Sequence, residues 1–150
     1  MRQFEPSSDY SRVVKMKIAV LSDIHGNLPA FEAVLSDCEK RGIVTKLILG
    51  DLITDYPQFT REIISLAKSC DYVIRGNREG YILDNRAGRC GDSWSKFAQF
   101  SANQLTYERL SESDLDYISA LPAQISLKFP NLPDLRMVHG SPFSEFDTLY

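Results

Sequence analysis

Histidine is scarce in this chain. Among 150 residues there are two, His25 and His139. Any metal or acid–base chemistry must therefore draw on carboxylates and amides as well as imidazole. Cysteine is scarce too. Cys38, Cys70 and Cys90 are odd in number and fall at no zinc-ligand spacing. That excludes a disulfide framework and a zinc knuckle, and reduced thiols in a cytoplasm are the simplest expectation. No apolar run approaches the roughly 20 residues of a membrane span, so no membrane partner is expected. Basic charge is not in excess either: 17 Lys and Arg stand against 20 Asp and Glu, for a formal net charge of −3. A general nucleic-acid binder would need a basic face, and none is indicated. No Gly-rich phosphate loop follows the first strand and no P-loop lysine motif is present, which disfavours a nucleotide-binding module.

What is there reads as one domain. Residues 1–15, MRQFEPSSDYSRVVK, are polar and mixed in charge, without the apolar centre of a signal peptide, and are expected to be a flexible extension. The fold is expected to span residues 16–150. Ile18 to Leu21 is a continuous apolar run, expected as a strand buried on both faces. Leu28, Phe31, Val34, Leu35 and Cys38 recur at helical spacing, with Asn27 as cap, Pro29 in the first turn and Gly42 as stop. Leu47 to Leu49 follows as a strand. Pro57 opens a helix carrying Phe59, Ile63, Leu66 and Cys70, and Tyr72 to Ile74 is a third strand. Residues 79–92 are polar and contain glycine, so a loop is expected. Trp94, Phe97, Ala98, Ser101 and Leu105 form the next helical stripe. Ser111 and Asp114 resemble a capping box ahead of a short helix that Pro122 ends. Ile125 to Phe129 and Leu135 to Val138 read as two more strands. Such strand–helix alternation implies an α/β fold with a largely parallel sheet.

The informative residues follow the strands. The first strand runs into Asp23-Ile24-His25-Gly26-Asn27, the second into Gly50-Asp51, the third into Gly76-Asn77-Arg78-Glu79 and the last into His139-Gly140-Ser141-Pro142. Carboxyl ends of parallel strands share one edge, where α/β proteins bind ligands. Asp23, His25, Asp51, Asn77 and His139 should therefore converge. Two aspartates, two histidines and an asparagine carbonyl offer oxygen and nitrogen without sulfur, a set suited to Mn, Fe, Zn, Co or Mg. Two such ions about 3.5–4 Å apart can clamp a phosphoryl group. Asp51, centrally placed, is the natural bridge between them.

The ordered set DIHGN, GD, GN-x-E and HGSP resembles the calcineurin-like metallophosphoesterase superfamily, in particular its small bacterial and archaeal DIHGN branch. The resemblance covers roughly residues 16–142. It implies a sandwich of two β-sheets flanked by helices. It implies that Asp23 and His25 bind a first metal, Asp51 bridges, and Asn77 and His139 bind a second. It implies hydrolysis of a phosphomono- or phosphodiester substrate by a metal-activated hydroxide.

Two departures stand out. Where the family often has histidine after the GN asparagine, this chain has Arg78. Arginine cannot usefully give up a proton near neutral pH, but it can grip phosphate oxygens, so Arg78 is a candidate phosphate clamp beside Asn77. Arg75, Arg86 and Arg89 are near in sequence and could add positive charge. The family also ends in a GHxH element on a later strand, and nothing of that form follows HGSP here. The expectation is a fold without its C-terminal strands, a weakly held second metal and an open apolar edge that favours homo-oligomers. The alternative function is a catalytically impaired domain that keeps the scaffold and binds phosphate, a metal or a protein partner. Singly, each motif also has a plainer reading: Asp51 and Asn77 as turn residues, His139 as a buried hydrogen-bonded histidine.

Overall fold

The computed structural model describes residues 17–91, 98–129 and 133–147. The expected extension at 1–15, together with Trp94 and Phe97, lies outside the described residues. Ten regular elements follow in order: β1 (Ile18–Leu21), α1 (Leu28–Lys40), β2 (Thr45–Ile48), α2 (Thr60–Ala67), β3 (Tyr72–Val73), α3 (Asn77–Arg86), α4 (Ala98–Tyr107), α5 (Glu112–Ala120), β4 (Gln124–Leu127) and β5 (Leu135–Val138). A 3-10 turn at Pro57–Phe59 leads into α2. No helix among the described residues is long and apolar enough to cross a membrane.

Strands β1, β2 and β3 form a parallel sheet in that order, with Val20 opposite Leu47 and Ile48 opposite Val73. Strands β4 and β5 form a second, antiparallel sheet, with Ile125 opposite Met137. The period-two alternation of β2 explains the layering. Leu47 points to one side and packs with Ile74, Leu127 and Met137, joining the two sheets. Ile48 points to the other side and packs with Phe31 of α1, Ile63 and Ile64 of α2, Ile82 of α3 and Ile118 of α5. The result is helices over one face of the parallel sheet and the second sheet over the other, the expected metallophosphoesterase-type architecture.

Local chemistry sets the helix ends. Asn27 caps α1 by accepting from the Ala30 amide at 3.3 Å. Ser111 caps α5: its hydroxyl accepts from the Asp114 amide, and the Asp114 carboxylate accepts from the Ser111 amide at 3.1 Å.

Three expectations are corrected. Residues 77–86 form helix α3, not the start of a loop at 79. Their sequence, NREGYILDNR, is polar and contains glycine, so propensity argues against a helix. Tertiary contacts override it: Ile82 and Glu79 are fully buried, Gly80 sits under the Phe146 ring, and Arg86 pairs with Glu112 and Asp116 of α5. Second, β1 is not buried on both faces. It lies at an edge of the described sheet, and Val20 is 58% exposed on the face that Leu47 buries one strand further in. Third, the last strand does not join the parallel sheet. His139 reaches the shared edge from the antiparallel pair, because the two sheets stack with these ends close together.

The layering gives a contrast that urea denaturation can check. Met137→Ala empties a site between the sheets and should cost about 2–5 kcal/mol. Val20→Ala on the open face should stay within about 0.5 kcal/mol.

Candidate metal centre

Three loops meet at the carboxyl ends of β1, β2 and β3, and the backbone there is unusual. Asp23 (φ 57°), His25 (φ 49°) and Asp51 (φ 53°) are all left-handed, a conformation that L residues rarely adopt. Gly50, at φ 91°, lies so close to Gly76 that a Cβ would strike its backbone. The strain is held by a zipper of backbone hydrogen bonds between the first two loops. Asp23 donates to the Gly50 carbonyl at 3.2 Å, His25 to Asp51 at 2.9 Å and Gly26 to Leu52 at 2.8 Å.

This zipper gathers a first donor group. His25 Nε2 lies 3.5 Å from Asp23 Oδ1 and 3.7 Å from Asp51 Oδ2. One ligand atom from each of Asp23, His25 and Asp51 falls within 4.8 Å of the others, close enough to share an ion. Asp51 is buried, whereas the Asp23 side chain is 56% exposed, so the group opens to solvent on the Asp23 side.

A second donor group forms on the other oxygen of Asp51. His139 Nε2 lies 2.9 Å from Asn77 Oδ1 and 3.5 Å from Asp51 Oδ1. The opposite ring nitrogen, Nδ1, lies 2.7 Å from the Leu49 carbonyl oxygen. A carbonyl only accepts, so Nδ1 carries the proton there. A neutral imidazole then turns its Nε2 lone pair towards two oxygens. Three lone pairs face one another, and a cation between them satisfies all three, as does a second proton on the ring. The donor chemistry of both groups fits a divalent ion, and Asp51 contributes one oxygen to each.

A residue to which sequence reasoning assigned no role holds this arrangement together. Glu79 is completely buried. Its Oε2 accepts from the amides of Asp51 at 2.9 Å and Gly76 at 2.8 Å, and its Oε1 from Leu52 at 2.9 Å and Ile53 at 3.4 Å. Burial, with the nearby Asp51 charge, raises its pKa above the ordinary value, and those amides pull against that shift. The GN-x-E spacing was a usable signal, since a carboxylate three residues past a helix cap can reach back to it.

Arg78, the second residue of α3, also sits here. Its backbone amide donates to Asp51 Oδ1 at 2.9 Å, and its guanidinium Nε is 4.0 Å from Asp51 Oδ2. That Nε is buried without a hydrogen-bond partner among the described residues. The other nearby arginines do not add free charge. Arg75 pairs with Glu145, Arg86 with Glu112 and Asp116, and Arg89 with Asp84.

Stacked sheets with helices on one face bring carboxylates, imidazoles and an amide to one edge, a donor set of the kind that can hold divalent ions. The chain belongs to the calcineurin-like phosphoesterase family, whose model matches residues 16–148. It is 35% identical over 92 residues to an uncharacterized protein of Methanocaldococcus jannaschii, a match covering 56% of this chain and 37% of that protein. The crystal structure of a hypothetical protein from Pyrococcus horikoshii OT3 superposes with a TM-score of 0.66 at 28% identity, covering 87% of this chain and 57% of that one. The chain thus spans about half or less of the length of these relatives.

Burial raises the pKa of Asp51 above its ordinary 3.8, against the pull of the Arg78 amide. A carboxyl raised in the folded state stabilises the fold fully below its unfolded pKa, and that contribution is lost as pH rises through the folded value. Asp51→Asn, which never ionises, should therefore melt higher than the wild type at pH 7 in chelator. Added Mn²⁺ should reverse the order, because an ion at 100 times its Kd stabilises by about 2.7 kcal/mol and the variant gains less. Thermal denaturation with and without Mn²⁺ checks both halves.

Proposed function

We propose that the chain is a metal-dependent phosphoesterase that hydrolyses phosphomono- or phosphodiesters. The observation that carries this reading is the shared carboxylate: Asp51 presents one oxygen to the Asp23–His25 group and the other to the Asn77–His139 group. Asp23, His25 and Asp51 would hold a first divalent ion, and Asp51, Asn77 and His139 a second. Such a pair would polarise the phosphoryl group and lower the pKa of a bound water. Mn, Fe, Zn, Co and Mg all suit the donors.

This chain's own residues supply the rest. The Arg78 side chain is only 19% exposed, and its Nε makes no hydrogen bond among the described residues, so the guanidinium keeps donor capacity for a phosphate oxygen. Asn77, first residue of α3, stands beside it as a second contact to the substrate. Arginine cannot protonate a leaving alkoxide, so esters of acidic alcohols are favoured. A groove of about 380 Å³ between β1 and α1, lined by Val20, Ala30, Phe31 and Val34, opens beside Asp23 and offers apolar surface for an aryl leaving group.

The test is hydrolysis of an aryl and an alkyl phosphate by the Mn²⁺-loaded chain, with Asp51→Asn as control. Aryl turnover well above the control, with alkyl turnover far lower, is expected. Turnover equal to the control would remove the reading. Arg78→His should raise the alkyl rate relative to the aryl rate by restoring a proton donor. Arg78→Ala should raise KM for both.

Each ion would have three protein donors among the described residues, which leaves further positions to water and substrate, as catalytic sites do.

A further inference from the structure

The two histidines present the same ring nitrogen inward, yet different groups hold them from behind. Behind His139 is a backbone carbonyl, that of Leu49, at 2.7 Å from Nδ1. Behind His25 is a side chain. Asp55 Oδ2 lies 3.3 Å from His25 Nδ1. That ring nitrogen is buried and has no hydrogen-bond partner among the described residues, so the Asp55 carboxylate faces it as an ion-pair contact. The other oxygen of the same carboxylate, Asp55 Oδ1, lies 3.8 Å from the Arg78 guanidinium.

Asp55 is not on this spot by chance of a loose loop. The preceding residue, Thr54, is completely buried and left-handed at φ 108°, a strained conformation for a β-branched residue. Its carbonyl meets the Thr106 hydroxyl of α4 at 3.3 Å, a longer contact beside that hydroxyl's 2.8 Å bond to the Ala102 carbonyl. On the far side the Tyr56 amide donates to the His25 carbonyl at 3.2 Å. The chain is thus pinned on both sides of Asp55, and the turn delivers its carboxylate between His25 and Arg78.

We propose that Asp55 is a positioning residue that serves both halves of the site: it fixes His25 as the Nδ1-protonated tautomer, leaving Nε2 to a metal, and it holds Arg78 in place for phosphate. A carboxylate behind a metal-binding histidine sets ring orientation and tautomer, and its loss typically weakens metal binding about 10–100-fold. The first role rests on the donor geometry alone. The second rests on the phosphoesterase reading above.

Two substitutions separate the roles. Asp55→Ala removes every acceptor, whereas Asp55→Asn keeps a carbonyl for Nδ1–H but loses the charge facing Arg78. With two histidines in the chain, long-range ¹H–¹⁵N spectra of the labelled, chelator-treated protein resolve each ring. Both rings should be Nδ1-protonated in the wild type. Asp55→Ala should release His25 into a tautomer mixture, leave His139 unchanged as internal control, and weaken Mn²⁺ binding about 10-fold or more by calorimetry. Asp55→Asn should keep the His25 tautomer and raise KM for an aryl phosphate more than it lowers kcat. Asp55→Ala spectra and Mn²⁺ affinity identical to the wild type would overturn the role at His25, and an unchanged KM in Asp55→Asn would overturn the role at Arg78. If Asp55→Ala does not fold, the near-isosteric Asp55→Leu, which also removes every acceptor, carries the same readout. A wild type without phosphate-ester hydrolysis, but with the tautomer shift in Asp55→Ala, would remove the phosphoesterase reading and leave the positioning of His25 standing.

Discussion

The Glu79 carboxylate accepts hydrogen bonds from four backbone amides on two loops, and the geometry of the centre depends on that clamp. A buried carboxylate is costly unless its lone pairs are met, and here backbone donors meet them without using any metal-donor side chain. The clamp fixes the segment from Asp51 to Ile53 against Gly76. Asp51 is thereby kept left-handed, and both of its oxygens are aimed outward from the loop. Arg78 then donates its amide to one of them, so helix α3 and the loop after β2 are registered to each other at the bridging carboxylate. Without that register, Asn77 and Asp51 would not face a common point.

Electrostatics follow from the same arrangement. Asp51 is buried, Glu79 is close behind it, and burial works to raise the pKa of both. Such a pair is unfavourable on its own terms, because two carboxylates near each other in a dry environment oppose ionisation. Cations offset the repulsion. The Arg78 guanidinium supplies one, and divalent ions between the donor groups would supply more. The buried Asp51 charge and the ring lone pair turned inward are each unfavourable alone, and a cation between them would relieve both. That is the usual pattern of a functional site on a stable scaffold.

Much of this was legible in the sequence, and the misses have physical causes. The first two strands and α1 could be read because apolar periodicity and caps act locally: Asn27 caps as its neighbours suggest. The convergence of Asp23, His25, Asp51 and Asn77 could be read because parallel strands deliver their ends to one edge. Helix α3 could not, since it is held by Phe146 over Gly80 and by Arg86 to α5, contacts between residues far apart in sequence. The edge position of β1 escaped notice because an apolar run alone does not say which strands flank it. Asp55 escaped too: its placement comes from the left-handed Thr54, and a threonine carries no local signal for that conformation. The pairing of Arg75, Arg86 and Arg89 with carboxylates is likewise tertiary. Arg78 alone of the four is left at the centre, which makes the arginine in place of histidine the feature that most distinguishes this site chemically.

The central claim is that Asp51 joins two donor groups, each able to hold a divalent ion. Anomalous diffraction from crystals of the chain grown with Mn²⁺ tests it most directly. One peak is expected among Asp23, His25 and Asp51, and a second, weaker peak among Asp51, Asn77 and His139. Ions bound only elsewhere on the molecule, with these side chains unmoved and hydrogen-bonded to one another, would contradict it.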